Sequence, residues 1–458
     1  MASLENHSAA LDDQLIPGLS FAPGGGASYI TARNNISLYP TGSNSYSSNG
    51  TRVVRINVSS DAGQWIDPAS AFLFFKVNNK DASAQTATEI TRLQPLGGPH
   101  VFWSRARLLL QGQVAETIDF PGRLMEQLLR LSPETFQKQY AGHGFGLQVP
   151  NPDESTDLRQ QRRLTPSQGK TVAMPLSLFG LFAQHRYLPV GFAMNMQIEL
   201  TCSSGSDCCR SGTSVAGGVT TTYTNLFEIS DVIMRCDAIT LDSQLQESYQ
   251  QMSLTRSLSI PYKTWHHTVY SQTGNADSVT VAMQRSVSRL CTVFVTFMSA
   301  ERDTLKDVNY FPSVEGQPDG FDGSHPLLTT DCTPDEKSIQ YEMVIDGQRY
   351  PTAQVQTTVE AYTALIRGLG MAGQTSHAVG VGGRYFETTD FAICQDFEKH
   401  LGSALSGKNL RGGSQLLINL KGLAPSGIPS ADKIVKIYVC AQIDCIAELS
   451  SGGVTILE

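Results

Sequence analysis

Repeated alternation of apolar and polar residues over short stretches constrains the fold of this chain more than any other feature. In Cys291–Phe297 the apolar residues take one face of a strand, and Thr292 and Thr296 take the other. Antiparallel strands with one face on a core and one in water have this pattern, whereas parallel strands are continuously apolar. The sequence therefore predicts an all-β chain of antiparallel sandwiches. A period of two occurs in Val54–Val58, Phe192–Leu200, Val279–Met283, Cys291–Phe297 and Ile437–Ile443.

Helical patterns are few and short. Pro121–Leu131 places leucines on one face, Ser132 begins a following helix that runs to Gly142, and Thr357–Leu369 ends at a glycine. A further short helix is predicted near Asp242–Met252, between the two halves of the chain.

Two patterns occur once in each half of the chain. A Gly-Gln turn at Leu108–Gln113 precedes the first helix, and a similar turn at Val344–Gln348 precedes the helix at Thr357–Leu369. The strand endings Cys236–Leu241 and Ile443–Leu449 also resemble each other. Gly-Gln turns are common, so one interpretation is chance. The other is a β-sandwich that occurs twice in tandem, because a repeat this long is a duplicated domain.

Chain length supports the second interpretation. The 458 residues exceed the roughly 250–300 at which one hydrophobic core stops growing. We predict an N-terminal arm at residues 1–32, a first domain at 33–242 and a second domain at 243–458. The arm contains no Lys or Arg and is small and apolar, which suits a strap across a neighbouring surface; a frayed terminus is the alternative.

Composition and charge exclude several classes of protein. Only 17% of residues are charged and 40% are hydrophobic, which excludes disorder over most of the length. The net charge of −8 disfavours a nucleic-acid binder that relies on bulk positive charge. The longest apolar runs, Leu176–Phe182 and Leu290–Met298, are strand-sized and too short to cross a bilayer. The opening residues lack the pattern of a secretory signal, so we expect no secretion and reduced thiols.

Candidate metal and catalytic groups do not form a recognised site. Cys202, Cys208 and Cys209 share a loop without a zinc-ligand pattern, and an odd spacing separates Cys440 from Cys445, which puts them on opposite faces of one strand. No nucleophile elbow or zinc-protease motif accompanies the histidines, so we predict no catalytic, cofactor-binding or metal residue. The histidines considered are His100, His143, His266 and His267.

Glycine-rich loops and glycosylation sequons also have ordinary interpretations. Gly24–Gly26 and Gly380–Gly383 lack the strand-to-helix setting of a phosphate-binding loop. Without secretion, the four sequons are expected to be asparagines of turns and strand edges. Those sequons begin at Asn6, Asn35, Asn49 and Asn57.

A family resemblance rests on the order of short segments in both halves. The first half carries Tyr39-Pro40, Ser48–Val54, Trp65–Ser70, Leu93–Gly98, Phe102–Gln113 and Tyr187–Pro189. The second half carries Ser286–Phe297, Glu342–Pro351 and the closing strand that ends in Glu448–Leu457. In this order the chain resembles the double jelly-roll major capsid proteins of small eukaryotic DNA viruses, especially polinton-like viruses and virophages.

The resemblance implies two tandem antiparallel jelly rolls with a few short helices, and no enzymatic activity. Three subunits would form a pseudo-hexagonal capsomer, and capsomers would tile an icosahedral shell of the virion. The implied partners are further copies of the chain, minor capsid proteins and penton proteins. With its net charge of −8 we expect no direct nucleic-acid binding, and an inner membrane is left open. Three stretches resemble insertions that project outward or line the capsomer: Gln137–Lys170, Cys202–Thr224 and Asp303–Lys337.

Two alternatives remain open at this point. One is a minor capsid or vertex protein, although such proteins are often single jelly rolls. The other is a carbohydrate-binding β-sandwich, either a lectin or a hydrolase, which would need paired carboxylates or clustered aromatic residues. The three tryptophans, Trp65, Trp103 and Trp265, are far apart in sequence.

Overall fold

The structure is a computed structural model that describes most of the chain from residue 29 onward. Predicted features at Gly24–Gly26, Asp303–Lys337 and Gly380–Gly383 lie outside the described residues, as does the arm up to residue 28. The described residues are 29–58, 64–80, 90–95, 97–145, 164, 167–190, 194–215, 218–223, 225–255, 257–273, 276–283, 285–299, 340–370, 386, 391–398, 406–423, 434–450 and 453–458.

The first half of the chain contains a five-stranded and a four-stranded antiparallel sheet around one core. The strands are β1 (Ile30–Leu38), β2 (Ser45–Tyr46), β3 (Val53–Val58), β4 (Gln64–Asn79), β5 (Ile90–Pro95), β6 (Trp103–Leu110), β7 (Gln113–Asp119), β8 (Gly169–Pro175), β9 (Met196–Cys202), β10 (Cys209–Val215), β11 (Gly218–Tyr223) and β12 (Phe227–Leu241). One sheet has the order β1-β12-β4-β8 with β2 also on β12, and the other has the order β3-β9-β6-β7. A separate ribbon has the order β11-β10-β5.

The second half contains two corresponding sheets. Its strands are β13 (Leu258–Ser271), β14 (Ser278–Ala282), β15 (Leu290–Ser299), β16 (Gln340–Ile345), β17 (Gln348–Val355), β18 (Ile393–Asp396), β19 (Leu416–Lys421), β20 (Ile434–Ser450) and β21 (Gly453–Leu457). One sheet has the order β13-β20-β15-β18 with β21 also on β20, and the other has the order β14-β19-β16-β17.

Strand order is identical in the two halves. In each half the first strand pairs with a long strand near the end of that half, this long strand pairs with a third strand, and the third strand pairs with a short edge strand. The opposing sheets also correspond. The hairpin β6–β7 pairs through β6 with β9, which pairs with β3, and the hairpin β16–β17 pairs through β16 with β19, which pairs with β14. The chain is therefore a double jelly roll, and the predicted tandem duplication is confirmed. The division at residues 32 and 242 stays a prediction.

Short helices occupy matching places in the repeat. α1 (Pro121–Leu131) follows the β6–β7 hairpin, and α5 (Thr358–Gly368) follows the β16–β17 hairpin. The remaining helices are α2 (Glu134–Tyr140), α3 (Gly205–Cys208) and α4 (Ser243–Thr255), with 3-10 turns at Pro99–Phe102, Ala141–His143 and Leu176–Leu178. The helices predicted from sequence are thus confirmed to within three residues at each end.

Other segments differ from their sequence pattern. The strand-sized apolar run Leu176–Phe182 forms a 3-10 turn followed by a further turn, because Pro175 ends β8 immediately before it. The inserted-looking stretch Cys202–Thr224 supplies β10 and β11, which pair with each other, and β10 also pairs with β5.

The predicted water-facing side of β15 is not exposed. Thr292 is 4% exposed and Thr296 is 0% exposed, although both lie opposite the core-facing valines of the strand. On β20 the corresponding outer residues Tyr438 and Cys440 are also buried. The expectation of one wet face is wrong for this sheet. Helix α1 of the first jelly roll contacts Thr296, Tyr438 and Cys440, and Gly368 of α5 lies beside Thr292.

The two hairpin turns have the same backbone conformation. Gln111 and Gly112 have φ values of 50° and 80°, and Asp346 and Gly347 have φ values of 53° and 76°. Two consecutive positive φ values define the type I′ turn that matches the twist of a β-hairpin. Glycine carries no penalty at the second position, whereas a residue with a Cβ does.

We expect Gly112→Ala and Gly347→Ala each to lower the free energy of unfolding by about 1 kcal/mol. A Cβ at either position meets nothing within 4 Å, so the loss comes from backbone strain alone. The control is Gly142→Ala, where a Cβ also meets nothing within 4 Å and φ is not positive. Urea unfolding measures all three, and equal stability of the three variants would contradict the assignment of matched turns.

Candidate interaction surface between the jelly rolls

Helix α1 belongs to the first jelly roll but lies against the outer face of the β15–β20 sheet of the second. Its Leu124 and Leu131 enter the hydrophobic core. Its polar face is nevertheless buried, because the second jelly roll covers it. The exposed fractions are 2% for Arg123, 2% for Glu126, 1% for Gln127 and 7% for Arg130.

Arg123 makes the central contact of this surface. Its Nη2 donates to Thr296 Oγ1 at 3.5 Å and to the Phe297 carbonyl oxygen at 3.4 Å, both on β15. The guanidinium also lies over the Tyr438 ring, 4.4 Å from its centroid, on β20. Burial lowers the pKa of Arg123, and these polar and aromatic contacts compensate the charge. One side chain thus holds α1 to two strands of the other jelly roll.

Two further groups of α1 complete the polar contact. Glu126 and Arg130 form an ion pair at 3.2 Å, four residues apart on one helix face. Cys440 Sγ donates to Gln127 Oε1 at 3.4 Å. A buried polar contact of this kind requires a defined registry, because a shift of the helix would leave these groups without partners.

Strand β7 extends the contact onto β13. His267 Nδ1 donates to the Asp119 carbonyl oxygen at 2.7 Å, and Tyr262 Oη donates to the Ala115 carbonyl oxygen at 2.9 Å. Phe120, the residue before α1, meets the His267 ring edge to face at 6.1 Å between centroids. We call the combined surface of α1, β7, β13, β15 and β20 the inter-roll joint.

Glu116 on β7 is buried at the edge of the joint. It is 2% exposed and accepts hydrogen bonds from the backbone N–H groups of Gly180 at 2.8 Å and Leu181 at 3.0 Å. A Cβ on Gly180 would lie 1.7 Å from the Lys263 carbonyl oxygen of β13. The carboxyl group therefore positions a turn whose glycine allows the two jelly rolls to approach closely.

Burial dominates the ionisation of the joint. It raises the pKa of Glu116 to about 7, although the two N–H donors favour the charged form. It lowers the pKa of His267 to about 4, so this imidazole is neutral at physiological pH. A neutral carboxyl group and a neutral imidazole are less costly to bury than their charged forms.

The other histidines considered in the sequence have structural roles. His100 Nε2 donates to the Pro175 carbonyl oxygen at 3.2 Å, and its Nδ1 accepts from Tyr140 Oη at 2.8 Å. His143 stacks on Phe72 at 5.8 Å between ring centroids. His266 lies 3.3 Å from the Arg285 guanidinium through its Nδ1. His100 and His143 both pack on the Tyr140 ring, at 6.4 Å and 5.1 Å between ring centroids.

The cysteines of the described residues are buried and form no disulfides. Burial raises the pKa of Cys202 and Cys445 to about 12, which keeps both as thiols. Within the ranges given above, no three His, Cys, Asp or Glu residues are grouped closely enough to hold a metal ion. No helix among the described residues is long and apolar enough to cross a membrane.

The residues of the joint were missed by sequence reasoning. His267 and Cys440 were considered only as candidate catalytic and metal-binding groups, and Arg123, Glu126, Gln127 and Glu116 were not identified. One sequence feature did indicate that β20 is covered on both faces. Tyr438 and Cys440 alternate with the core residues of this strand, and both residue types are suited to burial. A strand with two such faces needs cover from a second layer.

Comparison with solved structures identifies the same fold over nearly the whole chain. A chain of the PBCV-1 virus capsid has a TM-score of 0.57 at 12% identity, over 96% of this chain and 100% of that one. The Faustovirus major capsid protein has a TM-score of 0.54 at 10% identity, over 94% and 92%. A chain of the Sputnik virophage has a TM-score of 0.52 at 11% identity, over 95% and 90%. No protein-family model and no curated protein sequence matches the chain.

We expect Glu116→Gln to remove a pH dependence of stability. The folded state holds the Glu116 proton more tightly than the unfolded state, so wild-type stability falls as pH rises from 4.5 to about 7. The glutamine variant lacks this titration, and its stability relative to wild type should increase by about 3 kcal/mol between pH 4.5 and 8.

Urea unfolding at a series of pH values measures this difference. The control is Glu247→Gln, which removes an exposed carboxylate of α4. Parallel stability curves for wild type and Glu116→Gln would show that Glu116 does not titrate in this range.

Proposed function

We propose that the chain is a viral major capsid protein whose homotrimers form pseudo-hexagonal capsomers of an icosahedral shell. The observation that carries the proposal is the identical strand order of two jelly rolls in one chain. Two similar sandwiches per chain give six in a three-fold ring, and such a ring occupies a six-neighbour position in a shell. The fold shared with capsid chains of PBCV-1 and Faustovirus supports this use.

The inter-roll joint supports a structural role. Its polar groups are directed at the partner jelly roll and hold two sandwiches in one orientation, as a rigid tile requires. We expect contacts within the trimer to bury on the order of 2,000 Å² or more, in the range of obligate interfaces. Contacts between trimers are proposed to be smaller and more polar, so that many weak contacts together stabilise the shell.

The carbohydrate-binding alternative has less support. Trp65 and Trp103 are 0% and 1% exposed, so neither ring is available to stack on a sugar. Trp265 is partly buried and packs near Phe294 at 6.0 Å between ring centroids. The vertex-protein alternative is disfavoured because the chain contains two jelly rolls rather than one.

The proposed location is the virion, with assembly inside the host cell. Proposed partners are copies of the same chain, minor capsid proteins and penton proteins. The net charge of −8 supports a shell that does not condense nucleic acid directly. An assignment to polinton-like viruses or virophages remains part of this proposal.

We expect the purified protein to have three times the 49.7 kDa mass of one chain by light scattering. Negative-stain images should show particles with three-fold symmetry and a six-sided outline. In purified particles the protein should be the most abundant shell component. A stable monomer at milligram concentrations, or a low copy number at the vertices, would contradict the proposal.

A further inference from the structure

Helices α1 and α5 each follow the corresponding hairpin of their jelly rolls, but only α1 has its polar face covered. Phe120 and Thr357 are the residues before the two helices, and counting from them matches each position of α1 with one of α5. Leu124 then matches Ala361, and both are buried in the core. This positional match therefore pairs a core-facing residue of α1 with a core-facing residue of α5.

The covered face of α1 corresponds to an uncovered face of α5. Arg123 matches Glu360, Glu126 matches Thr363, Gln127 matches Ala364 and Arg130 matches Arg367. Glu360, Thr363 and Arg367 are exposed and Ala364 is half-buried, and Val359 beside them is 61% exposed. These five residues line a groove of about 270 Å³ together with Pro351, Gln395 and Asp396. We call this groove the α5 face.

The surface that receives α1 also has an uncovered counterpart. In the second jelly roll, Thr296 is beside Tyr438 and Phe294 is beside Cys440 across the β15–β20 pair, and all four are at most 4% exposed. Counting back from Asp237 and Asp444 in the two similar strand endings matches Ile233 with Cys440. Ile233 pairs with Phe74 on β4 as Cys440 pairs with Phe294 on β15, and the next outer pair across β4 and β12 is Lys76 with Ser230. The four residues of the first jelly roll in these pairs are only half-buried.

Two neighbouring residues extend this second surface. The Arg235 guanidinium is exposed and lies over the Phe74 ring, 5.2 Å from its centroid. Tyr39 directly follows Leu38, the last residue of β1, which pairs with Met234 of β12. The Tyr39 side chain is 65% exposed. We call Tyr39, Phe74, Lys76, Ile233 and Arg235 the β4–β12 face.

We propose that the α5 face of one copy docks on the β4–β12 face of a second copy and repeats the inter-roll joint between chains. This inference rests on the proposed trimer and names the surfaces that form it. Each chain makes one inter-roll joint internally. Its first jelly roll carries the β4–β12 face and its second jelly roll carries the α5 face, and each face is one side of a further joint. A contact between unlike faces closes into a ring when the rotation closes, and the proposed trimer is such a ring of three chains.

The chemistry of the two faces is complementary. In the internal joint Arg123 contacts Thr296 and Tyr438. The matching residues are Glu360 on the α5 face, and Lys76 and Ser230 on the β4–β12 face. A repeat of the joint between chains therefore places the Glu360 carboxylate beside the Lys76 ammonium group. Ala364 would take the place of Gln127 and meet Ile233, an apolar contact where the internal joint has Gln127 and Cys440.

Two variants, each blocked on one face, test the proposal. Ala364→Arg places a long cation in the α5 face, and Ile233→Arg places one in the β4–β12 face. Each variant alone should be monomeric, because a ring needs both faces. An equimolar mixture should form a one-to-one dimer, since the intact α5 face of one variant fits the intact β4–β12 face of the other. Native mass spectrometry measures these species, and circular dichroism checks folding.

Gln244→Arg is the control, since it adds the same charge at an exposed position of α4. This control should remain trimeric. If wild type is trimeric and both blocked variants are also trimeric, these two faces are not the interface, while the proposed function stands. If wild type is monomeric, the proposed function fails as well. Self-association of either blocked variant into a dimer would show contact between like faces and would overturn the proposal.

A charge exchange supplies an independent check. Glu360→Lys and Lys76→Glu should each raise the concentration at which half of the trimer dissociates, by about fivefold or more for each contact. The double variant should return to within about threefold of wild type. Glu360 also completes the capping box of α5 with Thr357, so Glu360→Lys removes this cap as well as the proposed contact with Lys76. Lys76→Glu cannot restore the cap, so rescue in the double variant would come from the contact between chains. Absence of rescue would contradict the pairing of these two residues.

Discussion

The buried polar face of α1 determines how the two jelly rolls are arranged. A hydrophobic joint would tolerate small shifts, whereas Arg123 must reach Thr296, the Phe297 carbonyl group and the Tyr438 ring at the same time. Leaving this cation buried without those partners would cost several kcal/mol. The joint therefore selects one orientation between the sandwiches, and the geometry of any larger assembly follows from that orientation.

Sequence patterns predicted much of the fold because they report local constraints. Alternation along Ile437–Ile443 identified a strand of the second jelly roll, and the Gly-Gln turns before α1 and α5 identified the duplication. Turn conformation and the alternation of side chains along a strand depend on a few neighbouring residues, so both can be predicted from one sequence. The jelly-roll strand order was implied only by the family resemblance, because strand pairing joins residues that are far apart in the chain.

Burial between the jelly rolls was not predicted, because it depends on residues far apart in the chain. Thr296 has the polarity of a wet strand face, yet it is buried and contacts Arg123, a helix residue more than a hundred positions earlier in the sequence. Glu116 likewise has an ordinary strand context, and its raised pKa arises from burial against the turn at Gly180 and Leu181. Period alone separates the two faces of a strand but does not show what packs on either face.

The central proposal is that the same contact geometry joins the two jelly rolls within a chain and the jelly rolls of neighbouring chains. A cryo-electron microscopy structure of the purified assembly tests this claim most directly, through the rotations that relate successive jelly rolls. The account predicts six sandwiches in a ring, with a rotation of about 60° from the first to the second within a chain and the same rotation from the second to the first of the next chain. A two-fold dimer, or a trimer in which these two rotations differ widely, would contradict it.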